Sequence, residues 1–139
     1  MRWLFFSFEG RINRAIWWAV VAGTLFLDVG IFLLTFDWES QTLTLAVGLV
    51  ALALRIAPSV KRLHDRNKSG AWLWLYFGAP QAFLALSLMA VDVETASLLA
   101  FLTFGLLIAV IIDLGAIVGT PGNNRFGPDP LAQGTTGGP

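Results

Sequence analysis

Residues 97–118 read SLLAFLTFGLLIAVIIDLGAIV, an apolar run that contains one charged residue, Asp113. A helix of about 20 residues crosses the roughly 30 Å hydrocarbon core of a bilayer at about 1.5 Å per residue. The run is apolar around its whole circumference, which is typical of a helix in lipid or in the core of a large protein. A chain of 139 residues is too small for the second case. The run therefore predicts a membrane-spanning helix.

Three earlier stretches of the same kind predict further spans. They lie at 15–36, 42–60 and 71–91. The chain is 56% hydrophobic and 13% charged, whereas soluble domains average about 45–50% and about 25%. We therefore expect an all-α membrane protein with four transmembrane helices in two antiparallel hairpins, forming one domain over residues 1–131. A cleaved signal peptide is not expected, because Glu9 interrupts the short apolar start of the chain.

Charged residues are divided unevenly among the predicted loops. Cations dominate the N-terminal segment and the middle loop, which hold Arg2, Arg11, Arg14, Lys61, Arg62, Arg66 and Lys68. The other two loops contain only acidic charges, namely Asp37, Glu39, Asp92 and Glu94. By the positive-inside rule, the N and C termini and the middle loop are predicted to be cytoplasmic.

The two ends of the chain differ in composition. Phe5, Phe8 and Ile12 recur at helical spacing, which predicts an N-terminal interfacial helix over residues 2–14 with an apolar side toward lipid. Residues 119–130 concentrate Gly, Pro and Asn, which predicts an ordered cytoplasmic C-terminal loop. Residues 132–139 cannot form a core, and a flexible tail is expected there.

Three motifs lie in order on the predicted cytoplasmic side. They are FEGRINR at 8–14, VKRLHDRNKSG at 60–70 and GTPGNNRFGPDP at 119–130. Together they resemble the bacterial family of small YhaH/YhaI-like inner-membrane proteins, a domain-of-unknown-function family, over nearly the whole chain. The resemblance implies a multi-pass, four-span protein of the bacterial cytoplasmic (inner) membrane. It implies no reaction.

The charged side chains of these motifs are the candidates for lipid or partner binding. They are Arg11, Arg14, Arg62, His64, Asp65, Arg66 and Arg125. If helix continues past Pro58, Arg62 and Arg66 share a stripe with Arg55 that would favour lipid phosphates or a partner's carboxylates. The alternative is that these cations only orient the protein in the membrane.

The third motif is predicted to fold back against the first two and form a cap. In this hypothesis Arg125 and Phe126 pack near His64, and Asp65 accepts hydrogen bonds from Arg11 or Arg125. The alternative is turn chemistry that only ends the last helix.

Three ionisable residues lie inside the predicted spans, where an unpaired charge is costly. Arg55 and Asp113 each lie five residues before the cytoplasmic end of a span, which predicts an ion pair between them. The alternative is that Arg55 extends to the interface without meeting Asp113. Asp28 has no partner at its depth, so it is predicted to be an unpaired intramembrane acid.

The sequence contains no complete catalytic constellation. His64 and Asp65 are adjacent on a helix and point about 100° apart, while one histidine and no cysteine give no metal site. We expect no enzymatic activity, no cofactor and no nucleic-acid partner, and expect an accessory subunit or scaffold with membrane lipids and a membrane protein partner or self-association. One alternative is binding or processing of an anionic lipid or lipid-linked phosphate at the cytoplasmic interface. Another is an ion or proton pathway through the intramembrane charges.

Overall fold

The regular elements of the chain are helical throughout the residues that the computed structural model describes, 2–34 and 41–132. The helices are α1 Arg2–Phe6, α2 Arg14–Leu34, α3 Gln41–Asp65, α4 Ala79–Met89 and α5 Val93–Val110. Two π-helical segments extend the last two helices. Trp74–Gly78 leads into α4, and Ile111–Ala116 continues α5.

Side-chain caps explain where two of the helices begin. Asn13 precedes α2 and accepts a hydrogen bond from the backbone N–H of Ile16 at 3.0 Å. Asp92 precedes α5 and accepts from the backbone N–H of Thr95 at 2.7 Å. Each cap pairs an N–H group that the helix itself leaves without a partner. The cap at Asp92 begins the last helix earlier than the predicted boundary at residue 97.

Within residues 2–34 and 41–132, two helices are long and apolar enough to cross a membrane, Arg14–Leu34 and Val93–Ala116, and a shorter apolar helix covers Trp74–Met89. Large apolar side chains project from them, and Phe26 and Phe101 are 80% and 70% exposed. In water such a surface would promote association. In a bilayer it is the surface that a lipid-facing helix needs.

Helices α2 and α3 pack against each other and run in opposite directions. Trp17, near the start of α2, donates from its indole to Ser59 near the end of α3 at 3.1 Å. Asp28, three turns further along α2, pairs with Arg55, which precedes Ser59 in α3. The order of these contacts fixes the antiparallel direction.

The helix of Trp74–Met89 packs against α5 and also runs antiparallel to its partner. Ser87 donates to the carbonyl of Ala96 at 2.9 Å at one end of the pair. At the other end the Tyr76 hydroxyl donates to Asp113 at 2.8 Å. Tyr76 and Asp113 both lie on the π-helical segments.

The two pairs of helices meet where Ile111–Ala116 contacts α2 and α3. We call this region the packed end, and its buried apolar side chains are Ile12, Trp17, Leu63, Tyr76, Val110 and Leu114. Gly115 permits the close approach, since a Cβ there would lie 2.6 Å from the Trp18 ring. The Trp18 indole also donates to the Gly115 carbonyl at 3.1 Å.

The N-terminal segment differs from the predicted interfacial helix, because only Arg2–Phe6 is helical. Gly10 adopts a φ of +85°, which turns the chain. Ile12 is 1% exposed in the packed end and does not face lipid. The prediction of one helix over residues 2–14 is therefore wrong. Residues 133–139 of the predicted tail and the acidic pair Asp37 and Glu39 lie outside the described residues.

Candidate functional site

Asp65, the last residue of α3, lies in the middle of the packed end. Its Oδ1 accepts from Nε and Nη2 of Arg11 at 3.1 and 2.9 Å, and its Oδ2 accepts from Nη1 of Arg62. The side chains are buried, with 4% of Asp65 and 1% of each arginine exposed. A forked arginine contact on a buried carboxylate is both strong and directional. We refer to Asp65, Arg11 and Arg62, with the carbonyl groups they bind, as the Asp65 cluster.

Arg11 extends the Asp65 cluster into the C-terminal loop. Its Nη1 donates to the carbonyls of Gly122 at 2.6 Å and Gly127 at 3.3 Å, and its Nη2 donates to that of Thr120 at 2.5 Å. Thr120 returns two hydrogen bonds to the Asp65 carbonyl, from its N–H at 2.8 Å and its hydroxyl at 2.9 Å. The loop is therefore ordered by an arginine more than a hundred residues earlier in the chain.

Arg62 extends the same cluster to the end of the last helix. Its Nε donates to the carbonyl of Leu114 at 2.7 Å, and its Nη2 donates to that of Ile117. Carbonyls at a helix C-terminus lack hydrogen-bond donors within the helix. The buried guanidinium of Arg62 donates to them instead. Gly119 is close by, and a Cβ there would overlap the Asp65 carboxylate.

His64 joins the C-terminal loop to the segment around Gly10. Its ring stacks on Phe126 with centroids 3.9 Å apart, and its Nδ1 lies 3.2 Å from the Gly10 carbonyl. The Asn124 amide donates to the His64 carbonyl at 2.9 Å. Burial lowers the pKa of His64, the Gly10 carbonyl opposes this, and the charge of Arg125 adds to it.

A second cluster surrounds Asp113. Its Oδ2 accepts from Lys68 and from the Tyr76 hydroxyl, both at 2.8 Å, while Oδ1 accepts from Arg66 at 3.4 Å. We refer to these residues as the Asp113 cluster. Burial disfavours the charge of Lys68, but hydrogen bonds to Asp113 and Tyr76 outweigh it, so the pKa of Lys68 is raised.

The predicted ion pair between Arg55 and Asp113 does not form. Arg55 donates instead to Asp28 at 2.5 Å and to the Thr24 hydroxyl at 2.6 Å. The expectation that Asp28 is unpaired is corrected by the same contact. Only the depth of Arg55 in the membrane could be inferred from the sequence. The neighbour of Arg55 is set by the packing of α3 on α2.

The cationic stripe predicted along the end of α3 is not a free surface. Arg62 is 1% exposed, and Arg66 donates to Asp113 and to the Val118 carbonyl. Arg55, at the start of the stripe, faces Asp28. The residues do share a helix that continues past Pro58, as the stripe required, but their hydrogen bonds are made inside the protein.

The remaining two predicted cations are exposed. Arg14 donates from Nη1 to the Ala116 carbonyl at 3.1 Å. Arg125 donates to the Asn67 carbonyl at 3.0 Å rather than to Asp65. The cap predicted from the motifs is therefore present with Arg11, and not Arg125, as the donor to Asp65.

Sequence reasoning missed Lys68 and Tyr76 of the Asp113 cluster, and it also missed Lys61. Lys61 is fully buried, donates from Nζ to the Trp3 carbonyl and lies 3.5 Å over the Trp3 ring. In the sequence Lys61 is one of several cations in the segment 60–70. Nothing in the sequence indicates that it is more buried than Lys68. Among the residues at 2–34 and 41–132, no group of three metal-ligating side chains comes together.

These features define a class, a small all-helical membrane protein with a buried polar network at one end of its helices. Residues 5–128 match the family model of DUF805, a protein of unknown function, and the chain belongs to this family. The resemblance predicted from the three motifs is thereby confirmed.

Two relatives from Escherichia coli (strain K12) extend the comparison. The chain is 37% identical over 133 residues to the uncharacterized protein YiiR, covering 92% of this chain and 88% of YiiR. It is 27% identical over 133 residues to the inner membrane protein YhaH, covering 91% and 89%. No solved structure matches the chain. The relation to YhaH agrees with the apolar helices in indicating a membrane protein.

Proposed function

We propose that this protein is a non-catalytic scaffold or accessory subunit of an inner-membrane protein complex. It crosses the membrane four times in two antiparallel hairpins, with both termini and the middle loop in the cytoplasm. The similarity to the inner membrane protein YhaH, the apolar helices and the alternating sign of the loop charges support this placement.

The Asp65 cluster is the observation that carries the proposal. A general acid or base must reach a substrate atom. Asp65 is instead 3% exposed and is already bound by two arginines that also bind backbone carbonyls. The cluster fixes the relative positions of α2, α3 and the C-terminal loop. A scaffold requires such fixed positions, because it must present the same surface to each partner.

The short apolar helix is compatible with a third span. Trp74–Met89 is about 24 Å long at about 1.5 Å per residue, somewhat less than a typical hydrocarbon core. A bilayer thins around a short span, and flanking aromatic residues mark the interface. Trp72 and Trp74 occupy that position and are both exposed.

An ion or proton pathway is not proposed. Asp28 and Arg55 bind each other, and Asp113 binds Lys68 and Tyr76. The charges therefore belong to two separate groups, each with its own partners.

Topology is tested first, because the chain has no cysteine and any introduced thiol is unique. We expect Ser69→Cys, in the middle loop, to react with a membrane-impermeant maleimide only after the cells are permeabilised. The matched variant Glu94→Cys, in an acidic loop, is expected to react in intact cells. Both positions are exposed. The four-span topology is overturned if both thiols react from the same side.

The scaffold role is tested by the mass of the native assembly. The tagged protein is purified from membranes in two different mild detergents and examined by native mass spectrometry. We expect one protein partner, or a second copy of the chain, at the same whole-number stoichiometry in both preparations. A monomer that carries only lipid in both would overturn the scaffold role.

A further inference from the structure

A cavity of about 180 Å³ lies beside the Asp65 cluster. It is enclosed where the start of α2, the end of α3 and the residues after Ile111–Ala116 come together. It is lined by Arg14 of α2 and by Asn13 just before it, by Arg62 and Asp65 of α3, and by Leu131. Because separate segments hold its walls, the cavity is formed in advance of any ligand.

The charges around this cavity do not cancel. Arg62 and Arg11 both form salt bridges to Asp65, so two positive charges face one negative charge. Arg14 adds a further positive charge, and within the described residues it forms no salt bridge. Its hydrogen bond to the Ala116 carbonyl uses Nη1. Arg62 therefore supplies a fixed cation in the wall of the cavity, and Arg14 adds an exposed arginine to its lining.

The position of Arg14 indicates what anion reaches it. Arg14 is the first residue of α2, and the apolar part of that helix begins immediately after it. Trp18 lies one turn further on and is 39% exposed, as expected of an aromatic residue at the membrane interface. In a membrane this places the mouth of the cavity at the level of the lipid headgroups.

We propose that the Arg14 cavity binds a phosphate group, with Arg14 as its principal ligand and buried Arg62 as a supporting positive charge. A volume of about 180 Å³ admits a phosphate with a small polar substituent, and acyl chains would remain outside it in the bilayer. The phosphate belongs either to a lipid headgroup or to a free anion, and the chemistry is the same. The inference rests on the proposed membrane placement of α2 and is independent of the proposed partner.

The test compares two exposed arginines that each bind one backbone carbonyl. Arg14→Gln removes the charge at the cavity, and Arg125→Gln removes an equal charge on the C-terminal loop outside it. Retention of dioleoyl phosphatidylglycerol, with dioleoylglycerol as the phosphate-free control, is measured by native mass spectrometry. Inorganic phosphate is titrated separately by thermal shift in detergent.

We expect Arg14→Gln to weaken binding about tenfold or more, since it removes charge-assisted hydrogen bonds, and Arg125→Gln to leave it unchanged. Arg14→Lys should restore part of the affinity. Loss of phosphatidylglycerol identifies a headgroup, whereas loss of the inorganic phosphate response alone identifies a free anion. Equal effects of the two glutamine variants, equal retention of dioleoylglycerol, or no binding of either probe would overturn the inference.

Maleimide labelling of Ser69→Cys in the Arg14→Gln background is measured in parallel. Normal labelling with no phosphate binding by either the wild type or the variant overturns only the phosphate site. Labelling on the wrong side overturns the membrane placement itself.

Discussion

The Asp65 and Asp113 clusters have the same chemistry, a carboxylate bound by two cations, but they differ in burial. In the Asp65 cluster the side chains are 1–4% exposed. In the Asp113 cluster the carboxylate is 11% exposed, Arg66 19% and Lys68 27%. Protein therefore encloses the first cluster almost completely and leaves the second partly open to its surroundings.

The clusters also differ in what they connect. Asp65 and its arginines join α3 to the segment before α2, to the end of the last helix and to the C-terminal loop. Asp113 joins the last helix only to residues 66–76, which lie near one another in sequence. A buried charge costs most when its partner is removed. Burial and connectivity, rather than the number of ion pairs, set the importance of each cluster.

The largest predicted effect is that of Asp65→Asn. The change leaves Arg11 and Arg62 buried without a counterion, and breaking a buried pair in this way costs about 3–5 kcal/mol. We expect the midpoint of thermal unfolding in detergent, followed by tryptophan fluorescence, to fall sharply. The control is Glu94→Gln, which changes the same charge at an exposed position and should leave the midpoint nearly unchanged. A loss of less than about 1 kcal/mol would show that the cluster is not the main structural contact.

If Asp65→Asn does not accumulate in membranes, the paired change Asp65→Asn with Arg11→Gln provides a second comparison. Removing one cation together with the carboxylate leaves fewer unpaired charges, so the double variant should be more abundant than the single one. Lower abundance of the double variant would contradict the account.

The sequence predicted that Asp65 pairs with Arg11 or Arg125, because all three residues lie in motifs of charged and turn-forming residues that do not fit inside a bilayer. Charged residues are kept out of the hydrocarbon core, so those next to a span can pair only with residues at the same end of the helices. The apolar runs similarly predicted helices at nearly the right positions. These inferences use the properties of each segment alone.

The partner of Arg55 could not be predicted in the same way. Depth counted from the predicted end of each span matches Arg55 with Asp113, whereas in the structure Arg55 pairs with Asp28 on α2. The choice depends on how the helices rotate against each other, and apolar side chains facing lipid carry little information about rotation. Ile12 was misplaced for a related reason, since helical spacing continued across Gly10, where the chain turns.

A smaller effect is predicted for Asp113→Asn, about 1 kcal/mol. The amide can keep hydrogen bonds to Tyr76 and Lys68, and water can solvate both cations of the cluster. We expect the loss to shrink as salt is raised, because partly exposed charges are screened. The unfolding midpoint is measured at low and high salt for the wild type and for Asp113→Asn. A loss as large as that of Asp65→Asn would remove the contrast between the clusters.

The smallest predicted effect is a dependence of stability on pH through His64, which joins the Asp65 region to the C-terminal loop. Burial lowers the pKa of His64 from its ordinary value of about 6.5. Below that value the unfolded chain binds a proton that the folded chain resists, so stability falls as the pH falls until the folded pKa is passed. Between about pH 7.5 and about pH 5.5 we therefore expect a small fall in the midpoint of thermal unfolding. His64→Gln keeps a donor for the Gly10 carbonyl but cannot titrate, so the slope of the unfolding midpoint against pH should flatten. If the variant keeps the wild-type slope, the pH dependence arises from carboxylates elsewhere and His64 acts only through its stack on Phe126.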